Sequence, residues 1–366
     1  MRKFRQLLAK CAFRHGLKAH RPEEDFTAQH LGPTNGQSVY WVGHSLMQEC
    51  VAVAEQKISL FNLMRSFAES RQFTYKMYDH TLYGAPLSLQ WRGKPHSFSR
   101  TAPEMDATRA DFPREAAHFD TFVLTEVVPV KNVIQLEFSA YYLQQFYDTI
   151  FSVNTNARVY IYESWDYLHG TGASLTPDEF DWGAAMTEQR ALWERISDEA
   201  SYGVAVTPSI SDQLMTFIRP KRAQKDRSPI FIVPVGQVFK RLYDMLCEEE
   251  KGQNITLVNG RLLRFSDLFS NPYTNWLEAK AKSHTDKTLD ASSSLTLKDP
   301  SKALDDIHPS AIGIYIVALV HFATLYRASP VGLPTIALIG EEVAERLQRI
   351  VWDIVCADPR AGVKAL

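Results

Sequence analysis

Short apolar runs alternate with segments of helical periodicity along most of the chain. Apolar side chains at every second position, or in a short continuous run, are typical of buried strands. Five such runs are rich in β-branched and aromatic residues: Ser38–Val42, Phe73–Tyr78, Thr121–Val128, Arg158–Tyr162 and Phe231–Val235. The helical segments between them predict βαβ units, and therefore a three-layer α/β/α sandwich around a mostly parallel five-stranded sheet.

The helical segments differ in how far apolar residues cover them. Helices are predicted for Leu46–Gln56, Ile134–Val153, the stretch after the fifth strand to about Glu248, Ala311–Tyr326 and Glu341–Val355. The segment Ala311–Tyr326 is apolar on almost every side, which predicts a buried helix. It is also shorter than the ~20 residues that cross a bilayer. We therefore expect no membrane span.

Two stretches interrupt this alternation. Residues 169–223 are rich in turns, with a charged helix near Thr187–Glu199, and residues 280–301 are polar and rich in Ser, Thr and Lys. Both are predicted to be insertions into a single domain that covers residues 31–366. The second is either a loop that shapes access to a site or a plain excursion of the chain.

Residues 1–30 are predicted to be a basic N-terminal extension. Seven Lys and Arg residues and no acid occur within the first 21 residues. Lys10 interrupts the apolar run Leu7–Ala9, so the long apolar segment of a secretory signal is missing, and we expect a cytoplasmic protein. The same composition also fits a targeting peptide, a surface-binding amphipathic helix or a loosely held basic terminus.

Composition narrows the choice of chemistry. Apolar residues make up 45% and charged residues 22% of the chain, and the net charge of −2 gives no general attraction to nucleic acid. The sequence contains no P-loop, no dinucleotide-binding GxGxxG, no HExxH and no zinc-ligand spacing. We therefore expect neither a cofactor nor a metal.

A serine lies between the first predicted strand and the helix after it, in the segment Gly43–Leu46 (GHSL). At such a junction the N–H groups of the helix N-terminus can stabilise an oxyanion. An ordinary helix-capping role for Ser45 is the structural alternative. A second alternative is the G-x-S-x-G elbow of α/β-hydrolases, but Met47 stands where its last glycine belongs.

Near the other end of the chain, Asp305 precedes His308 by three residues in the segment DDIH. A serine hydroxyl needs a base to take its proton, and that base needs an acceptor that fixes its tautomer. We expect Asp305 to bond the ring of His308 from within one tight turn, and His308 to act as the base for Ser45. Asp306 is interpreted as a solvated or helix-capping acid.

The early GHSL block and the late DDIH block together resemble the SGNH/GDSL hydrolase superfamily, in which a GDSL-like serine block pairs with a DxxH block. The residues Pro309–Tyr315 also look like the helix start that follows in that family. The resemblance implies an SGNH-like catalytic domain at residues 31–366 and a serine esterase. Its triad would be Ser45, His308 and Asp305.

The resemblance further implies an oxyanion hole made from the N–H groups of Ser45 and Gly84, the latter in the block YGAPL at residues 83–87. The asparagine that the family carries after the third strand is absent. Thr125, another side chain or a water is expected to replace it. His44 stands where the family has an aspartate, and it is expected to hold the serine loop by hydrogen bonds or, alternatively, to reach the substrate.

Glu126 and Trp165 lie at strand ends that are predicted to face the same cleft. Trp165 could stack on a sugar ring and Glu126 could accept sugar hydroxyls; the alternatives are a core-edge tryptophan and a solvated glutamate. The expected substrate is a small acyl ester, with O-acetyl groups on carbohydrate favoured. Two other functions stay open: an O-acyltransferase that acts on a sugar hydroxyl, and a non-catalytic carbohydrate-binding protein on the same scaffold.

Overall fold

The structure is a computed structural model, and it describes residues 2–15, 19–92, 108–168, 181–219, 221–247, 255–271 and 305–364. The strands in these ranges are β1 (Gly36–Gly43), β2 (Cys50–Val53), β3 (Gln56–Ser59), β4 (Thr74–Thr81), β5 (Thr121–Leu124), β6 (Arg158–Tyr162), β7 (Phe231–Val233), β8 (Phe269–Asn271) and β9 (Asp305–Pro309). Five of them form one sheet in the order β4-β1-β5-β6-β7, while β2–β3 and β8–β9 are separate pairs.

The helices of the same ranges surround this sheet. They are α1 (Arg2–His15), α2 (Glu23–Thr27), α3 (Ser45–Gln48), α4 (Leu60–Ser70), α5 (Leu87–Arg92), α6 (Thr108–Ala116), α7 (Val130–Leu136), α8 (Ser139–Val153), α9 (Trp182–Ser201), α10 (Ile210–Ile218), α11 (Val235–Cys247), α12 (Ala311–Tyr326) and α13 (Glu341–Ala357). None of them is both long and apolar enough to cross a bilayer.

All four strand pairs of the central sheet are parallel. The predicted three-layer α/β/α fold with a mostly parallel five-stranded sheet is therefore confirmed. Strand β4 lies on one side of β1, and β5, β6 and β7 follow on the other side. The chain thus changes direction across the sheet at β1, and ligands of such sheets bind beyond the carboxyl ends of the strands at this point.

The two apolar faces of the sheet can be followed along β1. Because successive side chains of a strand point to opposite faces, Val39 and Trp41 pack in one core and Tyr40 and Val42 in the other. Helices α4, α11, α12 and α13 contribute to the first core, and α5, α6 and α8 to the second. Helix α12 is buried along its whole length, which explains why apolar residues cover almost every side of it.

The segment Leu46–Gln56, predicted to be one helix, is instead the short helix α3 followed by the β2–β3 hairpin. Val51 and Val53 alternate with smaller or polar residues, and Val51 pairs with Ile58 across the hairpin. Ala54, in the turn, has a left-handed φ of 50°. The period in this segment is therefore two, typical of a strand.

The predicted helix Ile134–Val153 is divided into α7 and α8. Phe138 between them adopts a left-handed conformation with φ of 55°, which a continuous right-handed helix excludes. Its side chain packs against the same apolar core as both helices.

Part of the predicted insertion 169–223 belongs to the core layers. Helix α9 crosses from β6 to β7, and it buries Trp193 and Ile196 against the sheet. The connection between two parallel strands needs such a crossover. The predicted insertion 280–301 lies outside the described residues.

The basic N-terminal region is attached to the body of the protein. Ala12 and Phe13 of α1 are buried, and the guanidinium of Arg195 lies 3.5 Å from the centre of the Phe13 ring. Arg21 is 1% exposed, and its backbone N–H donates to Asp198 at 2.9 Å. The interpretation of a loosely held terminus is wrong for these residues.

Candidate active site

Ser45 is the first residue of α3, directly beyond the carboxyl end of β1. It therefore lies where the strand order reverses. The first N–H groups of an α-helix have no acceptor within the helix, and the N–H of Ser45 has no backbone acceptor among the residues that the structure describes, so it can meet a ligand. Ser45 is 7% exposed, with its hydroxyl on the side of the loop that faces β9.

His44 caps this helix. Its Nδ1 accepts a hydrogen bond from the N–H of Leu46 at 3.5 Å, so its Nε2 carries the proton and donates to the carbonyl of Glu126 at 2.9 Å. Burial lowers the pKa of His44 to about 4, and the ring stays neutral at neutral pH. His44 is 2% exposed and holds the serine loop by hydrogen bonds.

His308 approaches Ser45 from the far end of the chain. Its Nε2 lies 2.9 Å from the Oγ of Ser45, across 263 residues of sequence. The same nitrogen is 3.3 Å from the hydroxyl of Tyr83 and 3.8 Å from Oε1 of Glu49. When Nε2 carries no proton, the serine hydroxyl can donate to it, which is the geometry that general-base activation requires.

Trp165 holds the strand that carries His308. Its indole N–H donates to the carbonyl of Ile307 at 2.8 Å, one residue before the histidine. The ring is fully buried and stacks on Phe239 with the centroids 4.3 Å apart. Because it is 0% exposed, Trp165 cannot offer a face to a sugar ring, and its predicted place in the substrate pocket is corrected to a positioning role.

The residues after His308 are fixed as firmly. Ser310 caps α12 by accepting from the N–H of Gly313 at 3.3 Å, and its hydroxyl donates to the carbonyl of Asp267 at 2.6 Å. A Cβ at Gly313 would lie 2.2 Å from the carbonyl oxygen of Leu268, so only glycine allows α12 to start this close to its neighbour. His308 is thus presented by a rigid segment.

Asp305 was predicted to reach the ring of His308 from within a tight turn. Residues Asp305–Pro309 instead form the extended strand β9, antiparallel to β8. The side chains of Asp305 and Asp306 lie outside the described part of the structure. The partnership between Asp305 and His308 therefore stays a prediction.

Gly84 lies in the turn that follows β4. The N–H of Ala85 donates to the carbonyl of Leu82 at 3.1 Å, and Gly84 has a φ of +66°. A type II turn needs such a left-handed residue at its third position, which favours glycine. No acceptor for the N–H of Gly84 exists among the residues that the structure describes.

This turn is tied to the serine loop. The N–H of Leu82 donates to the carbonyl of Gly43 at 2.8 Å. The amide of Gln90 donates to the carbonyl of Gly43 as well, and to that of Ala85 at 3.3 Å. Gln90 therefore fixes the two loops that carry the predicted oxyanion donors, Ser45 and Gly84, against each other.

Thr125 and Glu126 are placed differently from expectation. Both are 0% exposed. The hydroxyl of Thr125 donates to the carbonyl of Tyr162 at 2.9 Å, so it does not serve as a third oxyanion donor. Glu126 accepts from the N–H groups of Leu87 and Val127, at 3.3 and 2.8 Å, beneath the loops of the site. Neither residue lines an open cleft, and Glu126 is not solvated.

The buried environment of Glu126 raises the pKa of its carboxyl group. Burial raises the pKa of this carboxyl to about 7, although the Ser139 hydroxyl and the N–H groups of Val127 and Leu87 favour its charged form. Glu126 thus supports the loop after β5 at some cost in desolvation.

Three residues at the site were not singled out from the sequence. Tyr83, which is 50% exposed, lies over the ring of His308 with the centroids 5.7 Å apart. Glu49 has a side chain 23% exposed beside the same ring. Glu49 follows Ser45 by one helical turn and Tyr83 precedes Gly84, so their spacing from these two residues was an available signal. Gln90 offered none, because its role depends on loop packing.

No group of three or more His, Cys, Asp or Glu side chains in the described ranges is arranged to hold a metal ion. The candidate site therefore consists of a serine, a histidine, backbone donors and the two partly exposed side chains of Tyr83 and Glu49.

Comparisons with known proteins find distant likenesses among solved structures. No family model matches the chain, and no curated protein matches it. Among solved structures it is similar to a DUF4886 family protein from Bacteroides uniformis, with 13% identity over 87% of this chain and 95% of that chain and a TM-score of 0.44. It is also similar to a protein from Parabacteroides merdae named for its likeness to GDSL lipases, with 10% identity over 61% and 88% and a TM-score of 0.30. At these TM-scores neither likeness carries weight for the site.

Proposed function

We propose that the protein is a serine hydrolase of the SGNH type that cleaves small acyl esters. The observation that carries the proposal is the 2.9 Å contact between Nε2 of His308 and Oγ of Ser45. A serine hydroxyl and a histidine from opposite ends of the chain meet at the point where the strand order of a parallel sheet reverses. Packing alone does not require that pair.

The mechanism follows from this contact. His308 takes the proton of Ser45 as Oγ attacks the ester carbonyl, and a tetrahedral oxyanion forms. When the intermediate collapses, the imidazolium returns the proton to the departing alcohol and an acyl-serine remains. A water then loses a proton to Nε2, attacks the acyl carbon and releases the acid with regeneration of the serine. The side chain of His308 is 16% exposed, so water can reach the base.

The oxyanion is proposed to be held by two backbone donors, the N–H groups of Ser45 and Gly84. Both loops are fixed by Gln90. Thr125 donates to the carbonyl of Tyr162, so it does not replace the asparagine of the resembled superfamily in this hole. Loss of one oxyanion donor typically costs on the order of 10²–10³ in rate, so the donor that takes this place bears directly on turnover.

Asp305 is proposed to orient His308, as the resemblance to the SGNH superfamily implies. It precedes the histidine on the same strand, and that strand is fixed by Trp165 and by its pairing with β8. An acceptor on Nδ1 would keep Nε2 free of its proton and stabilise the imidazolium.

The mouth of the site favours an acylated carbohydrate as substrate. Trp165 and Glu126 are buried and cannot contact a sugar. We propose Tyr83 and Glu49 for these contacts, because both side chains are partly exposed beside His308. An aromatic ring packs on the apolar face of a sugar and a carboxylate accepts its hydroxyls. The proposed substrate is therefore a sugar that bears an O-acetyl group.

The nucleophile is tested with a short-chain aryl ester, p-nitrophenyl acetate. We expect turnover by the native chain and loss of turnover in Ser45→Ala, while Ser152→Ala, an exposed-serine control on α8, keeps the native rate. Equal rates in native and Ser45→Ala would overturn the assignment. No turnover by any of the three would favour a non-catalytic binding protein.

The substrate class is tested with Tyr83→Ala. We expect its KM for an acetylated xylo-oligosaccharide to rise about tenfold, with a change of less than about threefold for p-nitrophenyl acetate, because only the sugar would pack on the ring. Acetate release from the oligosaccharide is the measurement. An equal effect on both substrates would assign Tyr83 to the chemistry and not to sugar recognition.

A further inference from the structure

Exposed apolar side chains are concentrated on three helices that pack together. Helix α1 contacts both α7 and α10. Six of the thirteen exposed large apolar side chains in the described residues lie on these helices: Leu7, Leu136, Ile210, Leu214, Met215 and Ile218. We call this surface the α1–α10 patch. Single exposed apolar residues are ordinary, but a cluster of this kind marks a binding surface.

Helix α10 buries polar side chains and exposes apolar ones, which is the reverse of the orientation that folding alone favours. Its polar residues Gln213 and Thr216 are 3% and 5% exposed, whereas Ile218 is 77% exposed. Ile210, Leu214 and Ile218 recur every four residues and therefore form one stripe on the helix. Since burying the apolar stripe and exposing the polar one would stabilise the fold, the orientation points to a partner outside the molecule.

The patch carries basic residues. On α1, Lys10 and Arg14 are exposed and share a helix face with Leu7 by their spacing. Directly after Ile218 of α10, Arg219 is exposed as well. The sequences of α1, α7 and α10 together contain a single acid, Asp212.

That acid is already neutralised. Asp212 lies 3.2 Å from the ammonium of Lys221, and the N–H of Thr207 donates to it. On α7, Lys131 pairs with Glu188 of α9 at 3.0 Å. The exposed cations named above therefore leave the α1–α10 patch positive, although the whole chain has a net charge of −2.

We propose that the α1–α10 patch docks the protein on the surface of an anionic lipid bilayer. Apolar side chains flanked by Lys and Arg are the combination that inserts shallowly between lipid headgroups while the cations meet their phosphates and carboxylates. A second copy of the chain fits less well, because it would bring the same cations together. The contact is peripheral, as none of the described helices could cross the bilayer.

Vesicle co-sedimentation of the full chain tests the proposal. The probes are vesicles of phosphatidylcholine alone and of phosphatidylcholine with about one third phosphatidylserine. We expect binding only to the anionic vesicles, and loss of that binding in 1 M salt. Binding that is equal on both vesicles, or absent from both, would overturn the proposal.

Two variants locate the contact. Lys10→Gln with Arg14→Gln should lower the partition coefficient by on the order of 30-fold, because each cation near the surface contributes about fivefold. Leu214→Ser with Ile218→Ser should lower it at least about tenfold. All four side chains are exposed or half-exposed, so the variants are expected to fold.

Matched controls change equally exposed residues elsewhere. Lys57→Gln with Arg65→Gln removes two cations, and Val258→Ser with Leu262→Ser removes two exposed apolar side chains. Both should bind like the native chain, as should Ser45→Ala, so the result does not depend on esterase activity. A patch variant that binds normally would overturn the proposal. If the native chain is a dimer and Leu214→Ser with Ile218→Ser makes it monomeric, the patch would instead be a self-association surface.

Discussion

The two histidines beside Ser45 have opposite surroundings. His44 is its neighbour in sequence, yet it is buried and both of its ring nitrogens are bonded to backbone atoms. His308 is 263 residues away, is partly exposed, and directs Nε2 at the serine hydroxyl. Burial lowers the pKa of His44 to about 4, so at neutral pH it neither gains nor loses a proton.

The contrast separates the site into a fixed side and an open side. On the fixed side, His44, Glu126 and Gln90 hold the loops and have no exposed surface of consequence. On the open side, His308 contacts the serine, Tyr83 and Glu49 lie beside His308, and all three are accessible to water. We expect changes on the open side to alter rate with little effect on stability, and changes on the fixed side to alter stability first.

The largest effect is expected for His308→Ala. Without a base the serine hydroxyl keeps its proton, and kcat for p-nitrophenyl acetate should fall on the order of 10³–10⁴-fold. Because His308 is partly exposed, the thermal midpoint should change little. The exposed His118→Ala is the control and should retain the native rate. A fall of less than tenfold in His308→Ala would show that another group is the base.

A stability loss of about 2–4 kcal/mol is expected for His44→Ala. The change removes a helix cap, at about 1 kcal/mol, and leaves the buried carbonyl of Glu126 without its donor, at about 1–3 kcal/mol. Urea unfolding measures it. His44→Asn keeps an acceptor for the N–H of Leu46 and should recover about 1 kcal/mol. If His44→Ala were as stable as the native chain and only slow, His44 would belong to the open side.

Glu126→Gln is expected to change how stability depends on pH. Burial raises the pKa of Glu126 to about 7, above its ordinary value of 4.5. Between these values the folded state holds a proton that the unfolded state has released, so the contribution of Glu126 is present below about pH 4.5 and is lost as pH rises toward 7. The shift corresponds to on the order of 3 kcal/mol.

The measurement for Glu126 is a comparison of urea midpoints of native and Glu126→Gln between pH 5 and 8. The native chain should lose stability relative to the variant as pH rises. His44 titrates in the opposite direction, since its lowered pKa costs stability below about pH 6.5, and it is common to both proteins. Parallel pH profiles would contradict the buried, protonatable state of Glu126.

The smallest effect is expected for Trp165→Phe. The ring is largely replaced, but the 2.8 Å bond to the carbonyl of Ile307 is lost, so β9 loses one of its anchors. We expect about a tenfold lower kcat, an unchanged KM and a stability loss of about 1–2 kcal/mol. Trp193→Phe, which removes an indole N–H without a partner in the described residues, is the control for stability. A larger rise in KM than fall in kcat would return Trp165 to substrate binding.

The sequence was sufficient to predict the parallel sheet. Strand runs such as Arg158–Tyr162 are apolar on both faces, as the buried strands of parallel sheets must be. It was not sufficient for Leu46–Gln56, where the helix ends after one turn and the hairpin depends on pairing with a later segment. The local sequence also does not determine whether a side chain at the end of a strand faces solvent. Trp165 and Glu126 point inward because other elements cover them, and no local period reveals that.

Within the site, motif spacing anticipated that Ser45 and His308 belong together, and the structure places them in contact. The same motif suggested a turn around Asp305, where pairing with β8 makes the chain extended. The bridge made by Gln90 depends on how two loops meet, so a single sequence could not have supplied it.

The central claim is that Ser45 is activated by His308, and covalent labelling tests it most directly. A small fluorophosphonate reacts rapidly with a serine whose proton is removed as it attacks, and slowly or not at all with an ordinary serine. Intact-mass and peptide analysis should show one adduct per chain on Ser45, none in Ser45→Ala, and strongly slowed labelling in His308→Ala. A native chain that remains unlabelled, or one that is labelled at another residue, would contradict the account.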